Sequence, residues 1–450
     1  MAKLQASCPI CGRDLRAGGD WRGAAADEKV EPLWRNIVCS EICYLQLSRG
    51  NTTAPETKQG TGEAAGPDGP QVDQVQAALI DETTGRVIPF TGRSRRSYHR
   101  PGRAHSLHLP AHHSAESIAP LIRLAESSGP DSSFTHMVMG SMLHSVGLYD
   151  SALEELNEAL RIDPSSQTAR LHKGYVLERK GRHTEAAEQF RLLMDQHADW
   201  AEAYVGLGIS LYGLGEVEGA VNQFSLALEI DPRNICAMLN KAVAYNNQGL
   251  FYLAEKVVRQ LLAVDPGSAE GRLCLGAVLL ERGTLAEAEA EFRQVTELQE
   301  RNADGHYYLG ETRWRSGRRG PALTAFRRAT ELNPRDPDGH YKVGILLLEK
   351  GDAPGAARSL TRALELDEGD LEARFHLGMS LSMMGRLEEA HDHLEMVRQV
   401  TPDLPEVNLC LAFVFYKMGK QQQALQLFSR YKDEQQELVQ RLLRLAGLKK

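Results

Sequence analysis

The sequence predicts an all-α fold, an α-solenoid of short helix pairs, with a small zinc-binding module at its N-terminus. Three observations carry that expectation. Nine glycines (Gly147, Gly181, Gly215, Gly249, Gly283, Gly317, Gly351, Gly385 and Gly419) stand 34 residues apart without one insertion. An alanine follows each glycine by five residues, and an apolar residue follows each alanine by four. Four of the seven cysteines crowd into the first 43 residues.

Composition narrows the function classes. With 42% apolar and 25% charged residues in 450, the chain can bury a sizeable core. A formal charge of −8 argues against a general binder of polyanions. No apolar run approaches the ~20 residues of a membrane helix, so no membrane association is expected. The stretch Met1-Ala2-Lys3-Leu4-Gln5-Ala6 offers no apolar secretory segment. An odd number of cysteines, with Cys236, Cys274 and Cys410 scattered singly, fits a reducing compartment and a cytoplasmic protein.

Residues 1–50 hold Cys8-Pro9-Ile10-Cys11 and Cys39-Ser40-Glu41-Ile42-Cys43, a C-x2-C and a C-x3-C pair separated by 27 residues. Each pair supplies two thiolates from one local turn, which suits a tetrahedral structural zinc site on Cys8, Cys11, Cys39 and Cys43. Four thiolates leave no open position for water, so such a site has no chemistry of its own. A redox Cys-x-x-Cys would need a βαβ context that is absent. The second pair reads as a helix start, Cys43 one turn after Cys39, and in this it resembles treble-clef zinc fingers such as the DNA gyrase inhibitor family.

Residues 51–113 read as mostly disordered linker. Six prolines and seven glycines between Pro55 and Pro110 leave too little apolar area to offset ordering entropy. Within it, 86–103 is Arg-rich: Arg86, Arg93, Arg95, Arg96, Arg100 and Arg103 stand there with no acid between them. Nucleic acid is an alternative partner for this stretch together with the zinc module, though a solvated basic linker explains the same residues. Residues 114–132 read as a leading capping helix, with Leu121, Ile122 and Ala125 on one face.

From there the columns repeat. A period of 34 accommodates two helices of roughly 13 residues and two tight turns. The fixed glycine can take the left-handed conformation that ends the first helix. Seven residues before it stands a small residue: Gly140, Gly174, Gly208, Ala242, Gly276, Gly310, Gly344, Gly378 and Ala412. With the alanine column, it lets paired helices approach closely. The apolar column (Leu156, Phe190, Phe224, Val258, Phe292, Phe326, Leu360, Leu394, Phe428) fills the space between successive pairs. Pro164, Pro232, Pro266, Pro334 and Pro402 punctuate the units, while Pro321 and Pro354 fall in the first turn of a second helix.

These columns resemble the tetratricopeptide repeat (TPR) family over about 133–438, as nine units, which implies a right-handed superhelix. The family's early Trp is replaced here, as at His136, Arg170 and Tyr204. The tail, including 439–450, reads as the end of a C-terminal capping helix that shields the last unit.

The resemblance implies a protein or peptide partner lying along the first helices. At positions expected to face that groove stand Tyr212, Asn246, Asn247, Tyr307, Tyr308, Glu311, Trp314, Arg315, Tyr341, Lys342 and His376. Trp, Tyr and Arg are the residue types that anchor interfaces. The acids at the second position of several first helices (Glu202, Glu270, Asp304, Asp338, Glu372, Glu406) are already explained by the helix dipole. The Lys and Asn that grip chaperone tails in some TPR domains are replaced by Met137, Ser141, Leu171 and Tyr175. No nucleophile–base order or phosphate loop stands outside the repeats, so the expected function is a non-catalytic interaction scaffold.

The cysteine spacing makes one prediction of its own. A purified 1–50 fragment should carry about one zinc ion and unfold on chelation, since so short a segment lacks a sufficient core. Metal analysis with circular dichroism reads both. A folded, metal-free fragment with four reactive thiols would refute the site.

Overall fold

The structure is a computed structural model that describes residues 131–145 and 147–430. The expected zinc module with its four cysteines, the linker, nearly all of the leading helix and the tail beyond 430 lie outside the described residues. Among the described residues there are eighteen helices and no strand. In chain order, two by two, they are α1 (Ser133–Ser145) with α2 (Tyr149–Ile162), α3 (Gln167–Arg179) with α4 (His183–Gln196), and α5 (Ala201–Gly213) with α6 (Val217–Ile230). Next come α7 (Ile235–Asn247) with α8 (Phe251–Val264), α9 (Ala269–Glu281) with α10 (Leu285–Leu298), and α11 (Ala303–Arg315) with α12 (Arg319–Leu332). The last are α13 (Pro337–Glu349) with α14 (Ala353–Leu366), α15 (Leu371–Met383) with α16 (Leu387–Val400), and α17 (Pro405–Lys417) with α18 (Gln421–Arg430). The described chain divides into two compact units, one ending at Ala244 and one beginning at Tyr245.

The turn inside each pair follows from its glycine. All nine fixed glycines have φ between 71° and 84°, a region where a Cβ would crowd the backbone. In each turn the residue after the glycine donates its N–H to the carbonyl five residues back, as Arg318 does to Arg313 at 2.9 Å and Asp352 to Leu347 at 2.8 Å. This Schellman-type closure satisfies carbonyls that the helix end would otherwise orphan. Pro321 and Pro354 both sit in the first turn of a second helix, where the missing N–H costs no helical bond.

The turn between pairs is closed by side chains that the columns did not point to. Asn234, Ser268, Asn302, Asp336 and Asp370 cap five successive first helices, each accepting the backbone N–H three residues on at 2.8–3.0 Å. The position where the family carries Trp has a different task here. Its side chain reaches back six residues to a carbonyl of the preceding turn: Arg170 to Pro164, Arg272 to Pro266, Arg374 to Glu368 and Asn408 to Pro402, at 2.7–2.9 Å. Tyr204 does the same through its hydroxyl, 3.0 Å from the Ala198 carbonyl. Donors replace an apolar ring and hold the turn by hydrogen bonds.

Packing repeats in both units. Every residue of the alanine column and of the Phe/Leu/Val column is at most 1% exposed. The small column exists because of the large one. A Cβ on Gly174 would meet the Phe190 ring at 2.5 Å, on Gly208 the Phe224 ring at 2.5 Å, and on Gly344 the Leu360 side chain at 2.7 Å. Such distances are far inside van der Waals contact, so only glycine leaves room at these places. Phe190 also lies against Gly206 of the following first helix, where an added Cβ would stand 2.4 Å from the ring. One ring thus fills the gap within its own pair and the gap to the next.

Candidate functional site

The groove residues expected from sequence are placed as follows. Tyr212 belongs to the first unit, half-buried at the end of α5 against that unit's core. Asn246 is buried and Asn247 half-buried at the end of α7. On α11, Tyr308 and Glu311 are buried, while Tyr307, Trp314 and Arg315 are half-buried. Tyr341 on α13 and His376 on α15 are buried, and Lys342 is half-buried.

Three first helices bring part of this set together. Glu311 of α11 accepts from Arg315 Nε at 3.0 Å and pairs with Lys342 Nζ of α13 at 2.9 Å. Arg315 reaches the other way to Glu281 at the end of α9, at 3.2 Å. Lys342 also sits 4.1 Å from the centre of the Trp314 ring, a cation–π contact. The result is one continuous chain, Glu281–Arg315–Glu311–Lys342, with Trp314 held at its edge. Trp314 in turn packs against the core of its own unit.

Electrostatics fix the charge states of this chain. Burial pushes the Glu311 carboxyl up, but Lys342 and Arg315 beside it outweigh burial and hold it below the ordinary carboxylate value. Burial likewise works against the Arg315 charge, and Glu311 and Glu281 more than restore it, raising its pKa. The basic groups expected to meet a partner's acids are therefore already engaged within the repeats.

The remaining aromatic residues are packed against one another. Tyr308 stacks on Phe292 with ring centres 5.2 Å apart, and Tyr307 meets Phe326 edge-on at 5.2 Å. His376 is 3% exposed, its Nδ1 lies 2.8 Å from the Glu372 carbonyl, and its ring meets Tyr341 at 5.8 Å. These contacts make Tyr308, Tyr341 and His376 supports beneath the face; Trp314, Tyr307, Lys342 and Arg315 reach solvent.

Sequence reasoning missed Glu281, although a signal existed. Glu281, Arg315 and Glu349 end three successive first helices 34 residues apart, with charges alternating along one column. The pairing is only partly along that column, since Glu349 takes Arg319 at 2.8 Å instead. Cys274 and Cys410 are buried, with thiols pushed by burial up to about 12, so they are packing groups rather than nucleophiles. Among the described residues no helix is long and apolar enough to cross a membrane.

Helix pairs on a fixed period, joined by left-handed glycine turns, define an α-solenoid of the helix–turn–helix type. Two family models, each described as tetratricopeptide repeat, match residues 145–200, 239–305, 282–337 and 307–370 in one case and 347–409 in the other. The chain carries tetratricopeptide repeats. Among solved structures, the crystal structure of the APC/C hetero-tetramer Cut9–Hcn1 aligns over 66% of this chain and 59% of that one, at 17% identity and a TM-score of 0.51. A tetratricopeptide repeat protein from Parabacteroides merdae aligns over 59% of this chain and 99% of its own, at 18% identity and a TM-score of 0.44. Among curated proteins, the probable UDP-N-acetylglucosamine–peptide N-acetylglucosaminyltransferase SPINDLY of Solanum lycopersicum is 25% identical over 104 residues. That match spans 23% of this chain and only 11% of the tomato protein.

The Glu311 environment sets a pH dependence. Its folded pKa lies below the unfolded one, so its contribution is full above the ordinary carboxylate range and fades as pH falls through the folded value. Glu311→Gln should cost about 2 kcal/mol at pH 7, the scale of lost charged hydrogen bonds. Urea unfolding at stepped pH should show that difference shrinking on acidification. A cost that stays constant down to the acid limit would contradict the ion-pair account.

Proposed function

We propose that the chain is a non-catalytic protein-interaction scaffold that holds a peptide or helix on the face of its first helices, centred on α11 and α13. The observation that carries this reading is Trp314. The equivalent place in the other units holds a smaller side chain, such as His144, Leu280, Leu348 or Ser382. A half-buried indole presents a large area to an incoming apolar group. Lys342, itself paired with Glu311, lies over the ring and helps keep the indole in one place, which lowers the ordering cost of binding.

Tyr307 and Arg315 stand on the same helix, and Asn247 belongs to the same reading as a further polar contact, while Tyr212 would serve within the first unit and the buried Asn246 as a support. Because Arg315 and Lys342 are paired within the repeats, apolar contact on Trp314 supplies the affinity and the ion pairs supply rigidity. The transferase name of the tomato relative rests on a stretch covering 11% of that protein and adds no catalytic role to this reading. The structural zinc on Cys8, Cys11, Cys39 and Cys43 is part of the proposal through its C-x2-C and C-x3-C spacing.

The experiment compares the full chain with its Trp314→Ala and Arg315→Ala variants, measuring melting and the affinity of the protein recovered with the parent chain. Trp314→Ala should lose ~2 kcal/mol or more of binding, roughly thirtyfold in Kd, with a smaller change in stability. Arg315→Ala should weaken binding less, through loosening of Glu311. Lowered melting with unchanged affinity would make Trp314 a packing residue alone and remove the proposed centre.

A further inference from the structure

One second helix departs from the others on its outward face. Tyr252 of α8 is 76% exposed, more than any other large apolar side chain among the described residues. Its counterparts in the other eight units are acidic, small, Thr, Gln or Pro, as at Asp150, Glu218, Gly320 and Glu388. Leu253 beside it is also exposed, where other units hold residues such as Glu185, Glu287 and Glu389. At Ala263, near the end of the same helix, six of the eight counterparts are acidic, Glu229, Glu297 and Glu331 among them. Places that several other units fill with acids hold here an aromatic and two aliphatic side chains.

The same residues shape a cleft of about 520 Å³ within the second unit, lined along α8 by Tyr252, Lys256, Arg259 and Ala263 and closed by Arg282 from the end of α9. Their helical spacing places Tyr252, Lys256, Arg259 and Ala263 on one face. Glu255 lies in the same wall and pairs with Arg259 at 2.8 Å and with Arg282. Three cations against one carboxylate leave a local excess of two positive charges, in a chain whose net charge is −8. Each guanidinium has five N–H donors, so sharing Glu255 does not exhaust Arg259 or Arg282. An exposed aromatic ring beside Arg is a combination that interfaces favour, and single-sign charge at a cleft steers the opposite sign into it.

We propose that this α8 cleft docks an acidic, apolar-anchored segment of a partner protein, separate from the face around Trp314. An aliphatic or aromatic side chain of the segment packs on Tyr252, and its carboxylates meet Lys256, Arg259 and Arg282. The proposal rests on the α8 surface and not on the reading of the first-helix face.

The test uses the full chain and a fluorescein-labelled synthetic peptide in which Glu alternates with Leu and Phe; a control peptide carries Lys in place of every Glu. Fluorescence anisotropy is measured for the parent chain and for Tyr252→Glu, Lys256→Glu and Trp314→Ala. Tyr252 and Lys256 are exposed, so their substitution leaves the fold in place. The acidic peptide should bind the parent and the control peptide should not. Each α8 substitution should weaken binding at least tenfold, Trp314→Ala should leave it unchanged, and added salt should weaken it. No binding of the acidic peptide, equal binding of the control, or full binding by both α8 variants would overturn the proposal. Loss on Trp314→Ala alone would move the peptide to the first-helix face and overturn it as well. Sedimentation completes the test, because a dimer of the parent chain abolished by Tyr252→Glu would make this face a contact between copies.

Discussion

In seven of the nine pairs a side chain of the second helix sits where the facing first helix has no Cβ, Ala242 and Ala412 being the exceptions, and the rest of the architecture depends on that fit. At Gly174, Gly208, Gly276 and Gly310 an added Cβ would fall 2.5–2.9 Å from the phenyl ring opposite. The backbone there approaches the ring directly, so the two helices of a pair meet at one depth only. Because the same ring can press on the next first helix as well, as Phe190 does on Gly206, that depth is passed from pair to pair within a unit. The fixed glycine turn, at φ of 71–84°, brings the chain back at the same angle each time. Repetition of one local solution replaces the single central core of a globular domain.

Regular packing frees the surfaces from structural duty and lets individual units differ. The first helices of the second unit use that freedom for a buried carboxylate, Glu311, held charged by Lys342 and Arg315. A buried ion pair is weak evidence of stability, since desolvation opposes it, but its geometry demands one arrangement of its neighbours. Here that arrangement fixes an indole ring at the edge of the face. The outward face of α8 differs in another way, by holding Tyr252, Leu253 and Ala263 where several other units carry acids. Both departures occur on helices whose buried columns remain intact.

Much of this was legible in the sequence, because steric constraints leave residue types behind them. A left-handed turn demands glycine and a missing Cβ demands glycine or alanine, so helix lengths, turns and core columns could be read from spacing alone. Charges and donors leave a fainter mark. The reach of Arg170, Arg272 and Arg374 back to a carbonyl can be made by His, Tyr or Asn as well, so that column looked like mere loss of the family's Trp. The five capping residues were present as Asn, Ser and Asp before each helix and went unread. The pairing of Arg315 with both Glu311 and Glu281 depends on how side chains cross between repeats, which periodicity does not encode. Burial of Tyr308, Tyr341 and His376 has the same origin: their positions along the helix suggested the groove, whereas rings of neighbouring units cover them.

The central claim is that the small and large columns are matched pair by pair, and a double-mutant cycle at Gly276 and Phe292 tests it most directly. A Cβ on Gly276 would meet the Phe292 ring at 2.6 Å. Gly276→Ala alone should destabilise by about 1–3 kcal/mol, the usual cost of overpacking. In a Phe292→Val background, which reproduces the Ala and Val that stand at 242 and 258 in these columns, the same substitution should cost little or stabilise. Urea unfolding of the four proteins should therefore give a coupling of about 1 kcal/mol or more, well outside the ~0.5 kcal/mol expected of independent sites. Additive costs would contradict the account, since they would mean that the ring does not define the space its glycine must leave.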